Sequence, residues 1–427
     1  MLYLLLGLFI AVYLIITATI RIKMHFWHTQ PVFHIYNLKY WINPPGFINM
    51  TPPPVNKFVN LSKNKLIVVS ASEAAPPSAA APPSEAAPPS EAASEAASEA
   101  ASEAAASEAT NNQLSQLCKF ISDYYIIHES ATYKPSKQDI MAYLECTNQP
   151  SYFNIYQEPA ILGQEQELVG VTSARLLNVS LKKQNFGVYY VDNLCVKPGY
   201  RRKGIAPEMI QTFYYNVART NKKVNAYLFK REGQLNAIVP LVYYDTHVFD
   251  LTNYRGETLL NASMNLIEIS VSQLNIFVAF IKEQTPNFDC VILPDLSNVL
   301  NLLKLGKLKI YGILSGGELI AAYVFRCLEL SYADKKAIEC IAIIVGPNVA
   351  PIPNDILIAG FNMCWPKLQT LTQCAIVFIE ETAQSKPVIA ALGLNPTAVF
   401  SFKSPTAFFL YNYAAYTVKN SKTLLIY

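Results

Sequence analysis

The sequence predicts an α/β protein whose two related units share one continuous mixed sheet flanked by helices, preceded by a transmembrane helix. Three observations lead to this prediction. The chain has 427 residues, of which 52% are hydrophobic, and this exceeds what one core usually organises. A similar order of strands, turn, helix and strand occurs in both halves. The first twenty residues carry no charge.

Residues 1–20 are long enough to cross a bilayer core of roughly 30 Å as a helix. Arg21 and Lys23 follow the apolar run. A cleaved signal peptide is the alternative, but it is typically preceded by basic residues and has a shorter apolar stretch. The basic flank and eight scattered cysteines without a C-x-x-C pair favour a single-pass membrane protein whose later residues face the cytoplasm.

Between the anchor and the first unit we expect an arm over residues 21–50 and a linker over 51–113. The linker contains a spacer, residues 71–110, made almost entirely of Ala, Ser, Glu and Pro. Its Pro-containing half should be extended and its Ala-rich half partly helical. The net charge is only +3 without dense Lys and Arg runs, which argues against nucleic acid as a partner.

The first unit, residues 114–255, opens with helical periodicity over 114–144 and a hairpin turning at 163–167. A strand then ends at Lys197, a helix opens near Pro207, and another strand follows. The second unit, residues 256–427, repeats this order around a Gly316-Gly317 turn. Only the first unit has a basic, glycine-bearing loop, so we expect a single cofactor site.

This glycine loop, residues 197–206, lies where a strand ends and a helix begins. Free N–H groups and the positive end of a helix attract phosphate, and Gly204 permits a close approach of the ligand. Arg201, Arg202 and Lys203 add positive charge. The alternative is an ordinary basic turn that caps a helix. The apolar strand before the loop and the helix after it favour phosphate binding.

Several motifs carry a family resemblance. Arg201-x-x-Gly204-x-Ala206 resembles the loop that holds the coenzyme A pyrophosphate in the acetyltransferase (GNAT) superfamily. V-D-N-L-C-V with the later K-G-I-A-P is similar to a signature of the glycylpeptide N-myristoyltransferases. So are F-W-H-T-Q-P-V at residues 26–32, N-P-P-G-F at 43–47, and the ending F-L-Y-N-Y with T-L-L-I-Y. The matches follow the order of that family.

The resemblance implies transfer of a long-chain acyl group from acyl-CoA, a co-substrate, to the N-terminal glycine amine of a protein. No permanent cofactor or metal is implied. The Asn193 and Leu194 backbone N–H groups, on a bulged strand, would form an oxyanion hole, and the Tyr427 carboxylate would be the general base. The arm would clamp acyl-CoA, and the second unit would bind the peptide. Residues implied to contact acyl-CoA are His25, Phe26, Trp27, Asn193, Leu194, Cys195, Val196, Arg201, Arg202, Lys203, Gly204, Ile205 and Ala206.

The sequence departs from the family at some positions, and alternatives remain open. Asp192 replaces an asparagine, Leu228 replaces a threonine near the amine, and the glycine-rich peptide-binding segment is unrecognisable. One alternative is a GNAT-type enzyme with another acceptor amine, such as lysine, or a shorter acyl chain. Another is a membrane-attached binding protein without catalysis.

Individual residues also have simpler interpretations. Phe26 and Trp27 are equally typical of the interfacial belt beside a membrane helix. Cys195 lies in an apolar strand, which favours a buried hydrophobic residue over a nucleophile. His25, His28 and His34 have no fourth ligand nearby, so a metal site is not expected.

Overall fold

A computed structural model describes residues 1–69, 92–128, 130–159, 166–233, 237–346 and 354–427. The helices are α1 (Leu2–Lys23), α2 (Leu38–Ile42), α3 (Ala92–Tyr124), α4 (Lys137–Leu144), α5 (Ile205–Thr220), α6 (Leu274–Gln284), α7 (Leu296–Lys304), α8 (Asn354–Thr372) and α9 (Lys386–Leu394). The strands of the first half are β1 (Gly46–Phe47), β2 (Asn64–Val69), β3 (Ile127–His128), β4 (Ala131–Tyr133), β5 (Ser151–Glu158), β6 (Glu167–Leu181), β7 (Gln184–Val196) and β8 (Tyr227–Glu232). Those that follow are β9 (Val242–Asp250), β10 (Met264–Glu268), β11 (Cys290–Leu293), β12 (Leu308–Ser315), β13 (Glu318–Tyr332), β14 (Lys335–Val345), β15 (Ile376–Glu380), β16 (Val399–Tyr411), β17 (Tyr413–Ala414) and β18 (Thr423–Leu425).

One mixed sheet runs through the molecule, which confirms the predicted fold class. Its main path is β10-β12-β13-β14-β15-β9-β16-β8-β7-β6-β11-β18, and β5 and β2 join beside β6. The pairs β7–β8, β14–β15 and β11–β18 are parallel, whereas the others along the main path are antiparallel. Helices pack on the sheet through buried apolar faces, as in α5 and α8.

The two halves of the sheet interlock. β8 pairs with β16, and β9 lies between β15 and β16. The short strand β11 pairs with β6, and the last strand, β18, pairs with β11. One apolar core therefore contains residues from both halves, among them Val188, Tyr190, Leu424 and Tyr427. The unit boundary after residue 255 stays a prediction.

The structure corrects some sequence-based expectations. The predicted linker, residues 51–113, contains β2, whose apolar and β-branched residues pair with β5. The helical pattern over 114–144 is interrupted by β3 and β4, because Ser136 and Asp139 form a capping box that starts a new helix, α4. Residues 92–110 of the predicted spacer belong to α3. Residues 71–91 lie outside the described residues.

The predicted hairpin exists as β5 and β6, but its first strand comes earlier in the sequence than expected. That strand ends at Glu158, and most of the predicted turn, residues 163–165, lies outside the described residues. A turn at 163–167 predicts that the first strand continues up to residue 162. The S-Y-F-N-I-Y run of β5 is buried on both faces, so it lacks the alternation that marks a half-exposed strand.

The helix α1 is long and apolar enough to cross a membrane. Its side chains are almost all exposed. Near its C-terminal end, Tyr13 Oη donates a hydrogen bond to the Tyr36 carbonyl at 3.1 Å, and Thr17 is buried. These contacts join α1 to the arm that follows it.

Candidate active site

The candidate site lies where two parallel neighbours in the sheet separate. β7 and β8 pair only at Tyr189↔Tyr227 and Tyr190↔Leu228. Past these residues a cavity of about 520 Å³ is lined by β6, β7, β8, α5, β13 and the arm. We call this opening the fork between β7 and β8. A cavity in such a break of the sheet is large enough for part of a small ligand.

A β-bulge forms one wall of the fork. The bulge is in β7. The register between β6 and β7 shifts between Val171 and Ser173 of β6, so that two residues of β7, Asn193 and Leu194, lie opposite Thr172. Asn193 has a φ of 53°, in the left-handed region. Its side-chain amide donates to Ser173 Oγ at 2.8 Å, and the Thr172 hydroxyl donates to the Asp192 carbonyl at 3.0 Å. The bulge that the resemblance implied is therefore present and fixed by side chains.

One of the two implied oxyanion donors is occupied. The Asn193 backbone N–H donates to Asp192 Oδ1 at 2.8 Å, and the Tyr125 hydroxyl donates to the same oxygen at 3.0 Å. The charge of Asp192, with burial, raises the pKa of Tyr125 well above its usual value, so Tyr125 stays a neutral donor. Leu194 has no partner in the strand register.

The glycine loop forms the N-terminal end of α5. A short 3₁₀ turn, Pro198–Tyr200, leads into exposed residues at 201–204, and Arg202 and Gly204 have φ values of 64° and 82°. Arg201 fixes the loop through hydrogen bonds to the carbonyls of Val196 at 2.9 Å and Tyr124 at 3.1 Å. Arg202 and Lys203 remain exposed beside the helix end. This arrangement suits a phosphate.

Glu208, the acidic residue in the first turn of α5, accepts hydrogen bonds from neighbouring side chains. Glu208 Oε2 accepts hydrogen bonds from Asn60 Nδ2 at 2.7 Å and from the Tyr156 hydroxyl at 3.1 Å. Ile205, which begins the helix, is buried with Val196 and Met209 in a small apolar cluster, and Ala206 packs against it. This apolar cluster holds the end of the loop in place, while the basic side chains of the loop are exposed to solvent.

Of the three arm residues implied to contact acyl-CoA, Trp27 lines the cavity. Its ring stacks on Phe229 of β8 with a centroid distance of 5.5 Å. Phe26 is buried behind it, edge-on to Phe58 at 5.1 Å. His25 is exposed, and its Nε2 lies 2.5 Å from Lys57 Nζ. The arm therefore closes one side of the fork through Trp27.

Cys195 is buried in β7, and burial raises the pKa of its thiol to about 12. A thiol in this state is a poor nucleophile at neutral pH. The interpretation of Cys195 as a buried small hydrophobic residue is therefore confirmed. It packs in a cluster that includes Val171 and Phe153.

A buried group of charges, not foreseen from the sequence, lies at the inner end of the cavity. Lys230 Nζ is 2.9 Å from Glu380 Oε1 and 3.2 Å from Glu232 Oε1. Arg326 donates from Nε to Glu339 Oε2 at 2.8 Å. Burial alone would lower the pKa of Lys230, but the neighbouring acids and Tyr427 raise it well above its usual value. The signal available was a charged residue inside each of several apolar strands.

Tyr427 is 1% exposed and completes this group of charges. Its hydroxyl donates to Glu380 Oε1 at 2.5 Å, and its main-chain oxygen accepts a hydrogen bond from Arg326 Nη1 at 3.4 Å. Tyr427 is not among the residues that line the cavity, whereas Arg326 and Tyr190, which contact it, are. Residues 423–427, the apolar ending of the sequence, are all buried.

Substituting His34 by Phe should reduce the pH dependence of folding stability. His34 is 5% exposed, stacks on Tyr36 at 4.8 Å, and burial lowers its pKa to about 4. Because the unfolded chain takes up this proton from about pH 6.5 downward, the stabilisation is complete above that pH and is lost as pH falls toward 4. Urea unfolding midpoints across this range would measure the effect. A His25→Phe variant, changed at an exposed site, is the control, and an identical slope in parent and His34→Phe would contradict the assignment.

Residues 103–228 match the family model of the myristoyl-CoA:protein N-myristoyltransferase N-terminal domain. No curated protein sequence matches the chain. Saccharomyces cerevisiae N-myristoyltransferase with bound myristoyl-CoA aligns over 93% of this chain and 94% of its own, with a TM-score of 0.61 at 12% identity. The same yeast enzyme with myristoyl-CoA and inhibitors aligns over 92% and 91%, with a TM-score of 0.64 at 12% identity.

Over nearly the whole chain, the fold is like that of yeast N-myristoyltransferase. Residues 103–228, which match the model of the N-myristoyltransferase N-terminal domain, contain both the glycine loop and the bulge.

Proposed function

We propose that the chain transfers a long-chain acyl group from acyl-CoA to the N-terminal glycine amine of a protein. The observation that carries this proposal is the bulge at Asn193 and Leu194, which faces the fork and is followed directly by the glycine loop. The bulge, with its backbone N–H groups, and the loop proposed to bind phosphate lie at the same end of β7. A thioester and its diphosphate need both kinds of site, in this order along the ligand.

In this proposal the ligand lies across the open end of the fork. The diphosphate binds at the N-terminus of α5, where Arg202 and Lys203 are exposed and the backbone N–H groups are free of a side-chain cap. The acyl chain enters the cavity along aromatic side chains, of which Trp27, Phe229 and Phe213 are members. Apolar contact over such a chain stabilises binding by roughly 0.8 kcal/mol for each buried methylene.

The chemistry requires one bond to form and one to break. The base removes a proton from the glycine ammonium, and the neutral amine attacks the thioester carbonyl carbon. The C–N bond forms, the C–S bond breaks, and the second proton released by nitrogen ends on the coenzyme A sulfur. Negative charge that develops on the carbonyl oxygen is stabilised by the Leu194 N–H, joined by Asn193 once Asp192 turns away.

We assign the base to the main-chain carboxylate of Tyr427, an assignment that requires Tyr427 to be the last residue of the protein. The support is that Arg326, which lines the cavity, donates a hydrogen bond to the main-chain oxygen of Tyr427 at 3.4 Å.

The apolar helix α1 bears on the location of the protein. We infer that α1 anchors the protein as a single-pass helix with the later residues in the cytoplasm, supported by its length and by Arg21 and Lys23 at its end.

A second candidate function is acyl-CoA binding without transfer. One observation favours it, because the hydrogen bond from the Asn193 N–H to Asp192 removes a donor and places a carboxylate beside the carbonyl site. A negative charge there opposes the charge of the transition state. Acyl-CoA binding alone does not separate the two functions, whereas turnover does.

The test uses the full chain in detergent, myristoyl-CoA, and peptides that begin with glycine, with N-acetylated and lysine-bearing peptides as controls. We expect mass spectrometry to find acyl transfer to the glycine amine only. An ester in place of the Leu194 N–H, introduced as the α-hydroxy acid, should lower kcat about 100- to 1,000-fold. The same change at Asn193 is the matched control and should have a smaller effect. Acyl-CoA binding without any transfer would overturn the proposal in favour of the second candidate.

A further inference from the structure

Arg175 is a buried cation that faces the cavity. It lies on β6 and is 4% exposed, yet it lines the cavity. Its Nη1 atom has no hydrogen-bond partner in the part of the chain that the structure describes. The guanidinium instead lies over two aromatic rings, with Cζ 4.8 Å from the Tyr143 ring and 5.5 Å from the Tyr190 ring.

The neighbouring charges are already committed to other groups. Arg326 and Lys230 bind Glu339 and Glu380. Asp192, the acidic residue of the bulge, accepts hydrogen bonds from the Asn193 N–H and the Tyr125 hydroxyl. Among the described residues, Arg175 therefore has no carboxylate of its own. A lone buried guanidinium is costly, and aromatic contacts compensate for only part of this cost.

Arg175 lies close to the bulge that is proposed to bind the thioester carbonyl. Ser173 Oγ accepts a hydrogen bond from the Asn193 side chain and so supports the bulge. Arg175 is two residues further along the same strand, so the two side chains lie on one face of the sheet, roughly 6.6 Å apart along β6. A group bound by Arg175 would therefore lie about two extended residues away from the bulge, where the proposed function puts the acyl carbon.

We propose that the acceptor of this enzyme carries a carboxylate close to its amine, and that Arg175 binds this carboxylate. The inference rests on the proposed acyl transfer and names its substrate class. A carboxylate matches the planar fork of a guanidinium and supplies the charge that the protein itself does not. Two sources have this chemistry: an Asp or Glu side chain at the second or third residue of a glycine peptide, and the α-carboxylate of a free amino acid.

The experiment compares matched acceptors with the full chain in detergent. Peptide pairs differ only by Glu or Gln at the second or third position, and free glycine is paired with glycinamide. We expect the acidic member of a pair to have a kcat/KM at least about tenfold higher, as for a charge-assisted hydrogen-bonded pair. In Arg175→Gln this ratio should fall to about one. In Arg175→Lys, which keeps the charge and loses the fork, it should be intermediate.

A binding measurement separates this proposal from the proposed function. Calorimetry with a non-hydrolysable myristoyl-CoA thioether bound to the protein would give the affinity for each peptide without turnover. Tighter binding of acidic acceptors that is lost in Arg175→Gln supports the proposal even if no acyl group is transferred. Efficient glycine acylation with equal kcat/KM for Glu and Gln peptides and for free glycine and glycinamide overturns it. A preference that persists in Arg175→Gln, with the variant folded by circular dichroism, overturns it as well.

Discussion

Addition of a single alanine after Tyr427 is expected to abolish acyl transfer. The extension replaces a carboxylate by a neutral peptide group, and the new residue has no space because Tyr427 is almost fully buried. The chain before it is held by the pairing of β18 with β11 and by a hydrogen bond of 2.9 Å from the Ile426 N–H to the Ile292 carbonyl. Turnover of myristoyl-CoA with a glycine peptide measures the effect.

A second variant separates loss of the base from loss of packing. Amidation of the Tyr427 carboxyl group by semisynthesis removes the charge and adds almost no volume. We expect the amidated protein to bind acyl-CoA like the parent and to be equally inactive in transfer. Normal turnover in the amidated protein would show that the carboxylate is not the base, and unchanged turnover in the extended protein would contradict the burial argument too.

Replacement of Lys230 by Met is expected to lower the free energy of unfolding by about 3–5 kcal/mol. The ammonium group lies 2.9 Å from both Glu380 Oε1 and the Tyr427 hydroxyl, and Glu380 is 0% exposed. Glu380 Oε2 has no hydrogen-bond partner within the described residues. Without Lys230, the Glu380 carboxylate would keep the hydrogen bond from the Tyr427 hydroxyl but lose its cation, and a buried charge left in this way is strongly destabilising.

The control for this prediction is a double substitution. Glu380→Gln in the Lys230→Met background removes the charge that has lost its partner, so most of the lost stability should return. Chemical denaturation of the parent, both single variants and the double variant gives the coupling between the two residues as a double-mutant cycle. A coupling near zero would contradict the idea that the pair is a unit.

The parts of the site that the sequence predicts depend on neighbours in the chain. The glycine loop is such a part, since its strand, its left-handed Gly204 and the following helix occupy adjacent residues. The bulge at Asn193 and the buried Cys195 likewise lie within one motif. A resemblance carried by short motifs therefore locates these features, and the same holds for Trp27 in the arm.

The buried charges depend on partners far away in the chain, so local patterns do not reveal them. Lys230 and Glu380 are 150 positions apart, and Arg326 is 101 positions from Tyr427. Each looks like an isolated charge in an apolar strand until the sheet brings the pairs together. The hydrogen bond from the Asn193 N–H to Asp192 Oδ1 cannot be predicted from the sequence either, because it depends on the rotamer of the Asp192 side chain. The strand β2 was missed because its segment was interpreted as part of the linker.

The pairing of β18 with β11, and of β11 with β6, has a consequence for biosynthesis. The edge of β6 that pairs with β11 stays unpaired until more than a hundred later residues have been translated. The pairing of β11 with β18 requires the translation of still later residues. Pairings between such distant segments form slowly. During synthesis the nascent polypeptide therefore exposes an unpaired strand edge. Chaperones can bind this edge and proteases can cleave near it until β18 has left the ribosome.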